Sequence, residues 1–173
     1  DAVMAEYRPG DIIWVHDYHL LLVPGLLRRQ APHARIGFFL HIPFPSFELF
    51  RTLPWRREIL AGMLGADILG FHTASYVRYF SRTAQRLFDL EADGDSFHLR
   101  THEARLRACP MGIDADAFAA IASDPAVQTE AAAIRQASGG RRSNLGVDRL
   151  DYTKGIPRRL LAFVRLLQRD PAL

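Results

Sequence analysis

The stretch DIIWVHDYHLLLVPGLLRRQAPHARIGFFLHIPFP, residues 11–45, decides the fold. Asp11 to Val15 is a short apolar run bounded by polar residues and reads as a buried strand. His19 to Gln30 reads as a helix, with Pro24 near its start. Arg35 to Leu40, rich in Ile and Phe, reads as a second strand. Outward from this unit the pattern repeats. Glu48 to Leu64 is helical in two pieces divided near Pro54, and Asp67 to Gly70 is a third strand. Ser75 to Leu90 places Tyr76, Phe80, Ala84 and Leu87 on one helix face. Leu106 to Cys109 is a weaker strand. Uninterrupted apolar strands alternating with helices predict an α/β fold, a parallel sheet covered on both faces.

The segment from Asp114 to Arg142 is alanine-rich and helical, then turns polar in SGGRRSN. Gly139-Gly140 is a helix terminator and a candidate hinge. A new unit follows, with a strand expected over Asn144–Val147 and a helix over Ile156–Gln168. Pro157 falls in the first turn of that helix, where a missing N–H costs little. The expected organisation is therefore the end of one α/β domain over residues 1–112, a helical or hinge linker over 113–142, and the start of a second domain over 143–173. The chain opens inside a helix end and closes in DPAL just after a helix, which reads as an internal fragment.

Composition narrows the class. The 173 residues are 49% apolar and 24% charged, which is globular rather than disordered. A net charge of +3, without an aromatic-basic platform, does not call for nucleic acid. The basic pairs Arg28-Arg29, Arg56-Arg57, Arg141-Arg142 and Arg158-Arg159 read as solvated helix faces. The lone Cys109 allows no internal disulfide and reads as a buried structural residue in a reducing cytosol. The opening DAVMAEYRPG has no apolar core of a signal peptide, and the run Ile36–Pro45 is too short and interrupted to span a membrane. A cytoplasmic location is the expectation.

In parallel α/β sheets ligands bind beyond the carboxyl ends of the strands, and polar clusters fall there. In His16-Asp17-Tyr18-His19, Asp17 either accepts hydrogen bonds from ligand hydroxyls or caps the next helix. A metal site on His16, Asp17 and His19 lacks a supporting ligand at useful spacing. His41 follows the second strand and is held by the rigid Pro43 and Pro45; it reads as a site residue or as a hydrogen-bonded structural histidine. Met111 to Asp114 reads as a turn with Asp114 as helix cap. His98, His102 and Glu103 read as solvated. The loop RLDYTKG, residues 149–155, is the most informative. It brings Arg149 and Lys154 to a helix N-terminus, where N–H groups and the macrodipole already favour an anion. A diphosphate suits that arrangement; the competing reading is an ion pair of Arg149 with Asp148 or Asp151.

DIIWVHDYHLLLVPGLLR, RIGFFLHIPFPSFELFRTLPWR, LLGADILGFHT, CPMGID and LGVDRLDYTKGIPRRLLAF, in that order, together resemble the trehalose-phosphate synthases. Phe88–Leu106 and Ala119–Ser143 carry little of the resemblance. The resemblance implies a two-domain glycosyltransferase of GT-B type with Rossmann-like halves. It implies transfer of glucose from UDP-glucose to glucose phosphate with retained α configuration, forming trehalose phosphate. It implies no metal and no cofactor. By matching motif, Asp17 is an acceptor-binding residue, His41 lies beside the donor glucose, and Arg149 and Lys154 hold the donor diphosphate. His41, Arg149 and Lys154 are thus the expected catalytic set.

The family's early glycine loop, its early acceptor arginine and aromatic residues, its later acceptor arginine and its acidic-glycine motif do not occur in these residues. The chain therefore reads as about the middle third of a catalytic unit, inactive alone, with a sheet edge exposed where other strands should pair. The expected partners are the small-molecule substrates, with no nucleic acid or membrane, and a homo-oligomer of the full-length parent. The competing functions are a transferase using another acceptor, such as glycerol phosphate, and a non-catalytic regulatory subunit. A dinucleotide oxidoreductase is disfavoured because no GxGxxG follows any strand.

Overall fold

The computed structural model describes residues 1–141 and 143–171. Arg142, Ala172 and Leu173, and with them part of the Arg141-Arg142 pair and of the closing DPAL, lie outside the described residues. The chain divides into two compact units, Asp1–Gly112 and Ile113–Leu173.

The first unit opens with helix α1 (Ala2–Glu6). Strand β1 (Ile12–His16), helix α2 (Val23–Gln30) and strand β2 (Arg35–Leu40) realise the strand–helix–strand reading of residues 11–45. A short 3-10 turn over Tyr18–Leu20 precedes α2. Helices α3 (Phe47–Phe50) and α4 (Arg56–Met63) are separated at Pro54 as the ring requires. Strand β3 (Ile68–Phe71), helix α5 (Ala74–Phe88), a hairpin of β4 (Ala92–Asp93) with β5 (Ser96–His98), and strand β6 (Glu103–Ala108) complete the unit. The sheet order is β1-β2-β3-β6-β5-β4. The first four strands in that order are parallel, and the hairpin adds an antiparallel edge.

One face of the sheet is dry. Phe38, Leu69, Phe71 and Leu106 are buried there with Leu60 and Met63 of α4 and Phe80 of α5. Phe44 follows β2 and packs against Phe50, Phe71 and Phe80 at centroid separations of 5.0, 6.1 and 5.2 Å. Such pairs add to burial through their ring quadrupoles. The opposite face corrects the expectation of a doubly covered sheet. Ile12, Trp14 and Ile68 remain 69%, 68% and 50% exposed, because α2, α4 and α5 all pack on the same side. β1 is an edge strand.

Arg28 corrects a second expectation. It is not on a solvated face but 8% exposed. Its Nε donates to the Gly65 carbonyl at 3.1 Å, its Nη1 to the Pro32 and Ala34 carbonyls, and its Nη2 to Asp67 Oδ1 at 2.7 Å. Asp67 Oδ2 accepts the Ile36 N–H at 2.6 Å. Four of the guanidinium's five N–H donors are thus bonded, which offsets the loss of its water. α2 and α4 approach so closely beside this knot that a Cβ on Gly65 would lie 2.4 Å from the Gly25 nitrogen.

Two smaller corrections follow. Cys109 is exposed, because it lies one residue past the end of β6, where its N–H still bonds the Phe71 carbonyl but no helix covers its side chain. His102 is half-buried and tethered: its Nε2–H donates to the Leu64 carbonyl at 2.9 Å, fastening the β5–β6 turn to the end of α4. His98 is exposed as expected.

The second unit contains α6 (Ala115–Ala122), α7 (Pro125–Ala137) and α8 (Ile156–Arg169). Asp114 caps α6 by accepting the Ala117 N–H, and Gly139 and Gly140 end α7 at φ 60° and 71°. The strand expected over Asn144–Val147 is absent. A strand needs a neighbour to take its backbone hydrogen bonds, and no described residue of this unit supplies one. None of the unit's described residues is buried.

Replacing Arg28 by Ala leaves Asp67 uncompensated and is expected to lower unfolding free energy by about 3 kcal/mol. Gly65→Ala, by forcing α2 from α4, is expected to cost about 2 kcal/mol. Urea denaturation followed by circular dichroism reads both; an unchanged midpoint in either variant contradicts the packing described.

Candidate active site

Parallel register and the two-residue period of a strand decide which side chains meet. Trp14, Gly37 and Ile68 lie in one row, and His16, Phe39 and Gly70 in the next. Carried one step further, His41 and His72 stand on the same uncovered face as His16. Three histidines, each closing a different strand, therefore gather at the carboxyl end of the sheet. His16 Nδ1 and His41 Nε2 are 3.0 Å apart, with rings stacked at 5.3 Å. His72 Nε2 lies 3.2 Å from the His41 carbonyl, so that nitrogen carries the proton. Phe39 fits beneath them. Its ring contacts both His41 and His72 and lies over Gly70, where a Cβ would be 2.6 Å from Phe39 Cδ2.

Asp17 completes the group. Its Oδ1 accepts the His41 N–H at 3.2 Å. It makes no capping hydrogen bond to the turn that follows, so the helix-cap reading of Asp17 is not realised, and its carboxylate is engaged with the His41 N–H instead. Asp17 is held at φ 70°, ψ 172°, a conformation that strains any residue with a Cβ. Its N–H bonds the Phe39 carbonyl and its carbonyl accepts the Leu20 N–H, and these bonds fix it there. Strained backbone of this kind clusters at active sites and ligand clamps. His41 is pinned at its N–H and its Nε2 by residues at the end of β1, and at its carbonyl by His72 after β3. Phe44, three residues on and buried, anchors the same segment from below.

His19 stacks on Tyr18 at 3.8 Å rather than joining the cluster. No group of three His, Cys, Asp or Glu among the described residues is placed to hold a metal ion.

The loop Arg149–Gly155 of the second unit has a separate logic. A 3-10 turn over Tyr152–Lys154 is capped by Asp151, whose Oδ1 accepts both the N–H and the hydroxyl of Thr153 at 2.8 Å. Those bonds, chiefly the backbone one, hold the Asp151 carboxyl below its ordinary value, with the Arg149 and Lys154 charges contributing. Gly155 at φ 62° then turns the chain into α8, whose first-turn N–H groups receive no side-chain cap. Asp148 is paired with Arg159 at 2.5 Å instead of with Arg149. Among the described residues neither Arg149 nor Lys154 enters an ion pair. The loop thus offers two cations and a helix N-terminus to an anion.

His16 and His72 were not singled out by sequence reasoning as companions of His41. The signal was present: each follows a strand just as His41 does, and the rule that drew attention to His41 applies equally to them.

The strand ends of the first unit thus carry polar side chains, and the second unit carries a cationic loop at a helix N-terminus. The chain belongs to glycosyltransferase family 20, whose model matches residues 1–173. It is 43% identical over 171 residues to the UDP-forming alpha,alpha-trehalose-phosphate synthase A of Dictyostelium discoideum, covering 98% of this chain and 23% of that protein. It is 45% identical over 172 residues to the bifunctional trehalose-6-phosphate synthase/phosphatase of Thermoproteus tenax, with 98% and 23% covered. Among solved structures, the E. coli trehalose-6-phosphate structure bound with UDP-2-fluoro glucose superposes with TM-score 0.82 at 34% identity, over 98% of this chain and 38% of that one. The N-terminal domain of Candida albicans trehalose-6-phosphate phosphatase superposes with TM-score 0.83 at 39% identity, over 99% and 37%. The chain thus spans a quarter to two fifths of the length of these relatives.

The strain at Asp17 is open to direct measurement. With φ at 70°, Asp17→Gly is expected to be more stable than Asp17→Ala by about 1 kcal/mol, the reverse of the usual order outside such positions. Equal urea midpoints for the two variants contradict the backbone conformation.

Proposed function

We propose that the polypeptide containing this chain transfers glucose from UDP-glucose to glucose phosphate, forming trehalose phosphate with retention. The observation that carries the reading is the Arg149–Gly155 loop, whose two cations enter no ion pair among the described residues and stand at the uncapped N-terminus of α8. Family membership and relatives named as UDP-forming synthases support the choice of donor.

In this reading Arg149 and Lys154 take the diphosphate. The bond between the anomeric carbon and the diphosphate oxygen breaks, and the growing negative charge falls on oxygens held by the guanidinium, the ammonium and the helix N–H groups. The acceptor hydroxyl forms the new bond from the same face. Its proton passes to the departing phosphate oxygen, so no protein base is required. Asp17 serves the acceptor. His41 lies beside the donor sugar and stabilises positive character at the anomeric carbon, through its ring or its carbonyl. Catalysis is then mainly positioning and electrostatics. The reaction requires no metal and no cofactor in this reading. Asp17, His41, Arg149 and Lys154 are all present, which weighs against a non-catalytic regulatory subunit.

Titration calorimetry of the chain with UDP tests the loop directly. Weak saturable binding is expected, and it is expected to disappear in the Arg149→Ala, Lys154→Ala double variant. Equal binding by both proteins contradicts the diphosphate role. In the full-length parent, Arg149→Ala is expected to lower turnover by about a hundredfold or more, measured as UDP release from UDP-glucose.

A further inference from the structure

Every polar atom of His41 except Nδ1 has a partner among the described residues. Asp17 takes the N–H, His72 the carbonyl and His16 the Nε2. The contact between His16 and His41 joins two ring nitrogens at 3.0 Å, and such a contact needs one proton between them. Which ring supplies it decides what His41 offers a ligand. If His16 donates, His41 Nδ1 must bear its remaining proton. If His41 donates from Nε2, its Nδ1 is a lone pair.

We propose that His16 is a positioning residue for His41: its Nδ1 accepts the Nε2–H of His41, fixing that ring's orientation and tautomer so that Nδ1 faces the ligand as an acceptor. Three observations carry this. The neutral imidazole side chain intrinsically favours the Nε2–H form, and this arrangement gives both rings that form. His72, bonded through Nε2 to a carbonyl, is necessarily in it as well, so all three rings are consistent. Aromatic rings neighbour the pair, with Trp14 against the His16 ring at 4.5 Å and Phe39 against His41 at 4.7 Å. The Asp17 carboxylate is engaged with the His41 backbone. A lone pair at Nδ1 accepts a hydrogen bond from a sugar hydroxyl, where an N–H would have to be accepted by it. The inference rests on the reading above that His41 lies beside the donor sugar. The His16 contact itself belongs to the first unit alone.

The test uses His16→Ala and His16→Asn. The Asn side-chain oxygen stands close to where the His Nδ1 stands and can accept the same proton; Ala cannot. Two-bond proton–nitrogen correlation spectra of the 173-residue chain, at a pH where the rings are neutral, report each tautomer. His41 is expected as Nε2–H in the wild type and in His16→Asn, and as a mixture in His16→Ala. A wild-type His41 protonated at Nδ1, or a His41 signal unmoved by His16→Ala, overturns the proposal. In the full-length parent, His16→Ala is expected to lower kcat about tenfold, with KM for UDP-glucose changed less than about twofold, and His16→Asn to restore most of the loss. An unchanged kcat in His16→Ala overturns the positioning role. A wild-type parent that releases no UDP from UDP-glucose overturns the transferase reading instead, and the tautomer spectra still decide the His16 contact.

Discussion

Arg28 stands inside the first unit with its charge balanced by Asp67 and three backbone carbonyls, and much of the sheet's geometry runs through that contact. Asp67 binds Arg28 with one oxygen and the Ile36 N–H with the other, while its own N–H reaches the Ile36 carbonyl and its carbonyl takes the Arg105 N–H. The end of α2, the turn before β2, the turn before β3 and the start of β6 are thus joined at one point. A desolvated guanidinium tolerates little displacement, because each lost bond leaves a charged donor without water. Register among β2, β3 and β6 follows from it.

The node lies at the amino ends of the strands and the histidine cluster at their carboxyl ends. Between them run only four to six residues of paired strand. Backbone pairing at that length is stiff, so a register set at one end is delivered at the other. The helices that cover the dry face support the same result, with Phe44 buried beneath the segment that carries His41. Asp17, with its strained backbone, and the three histidines are on the other face and at the rim. A rigid base with a strained, polar edge is what precise placement of small hydroxyl groups demands. The second unit has no such base among its described residues, and its contribution is local: a capped turn, a left-handed glycine and a helix N-terminus in immediate succession.

Much of this was legible in the residues. Strands and helices from Ile12 to Ala108 follow the apolar periodicity closely, and the Arg149–Gly155 loop announces its chemistry through two cations ahead of Gly155 and Pro157. Asp114 and Gly139 behave as the cap and terminator their types suggest. The short β4–β5 hairpin left no sign, since two and three residues of strand are too few to show a period.

The sequence by itself determined most elements of the first unit, the α/β class and the gathering of two cations ahead of the last helix, because each depends on side-chain period or on residues within one turn of each other. Tertiary structure alone decided that Arg28 is buried and Arg149 is not, since the two differ in distant partners rather than in local context. It decided that Asn144–Val147 forms no strand without a neighbour, and that one face of the sheet stays uncovered. It also decided that His16, His41 and His72, far apart in the chain, meet at one edge. Pairing register and desolvation are properties of what lies across the fold, and no stretch of chain contains its own neighbours.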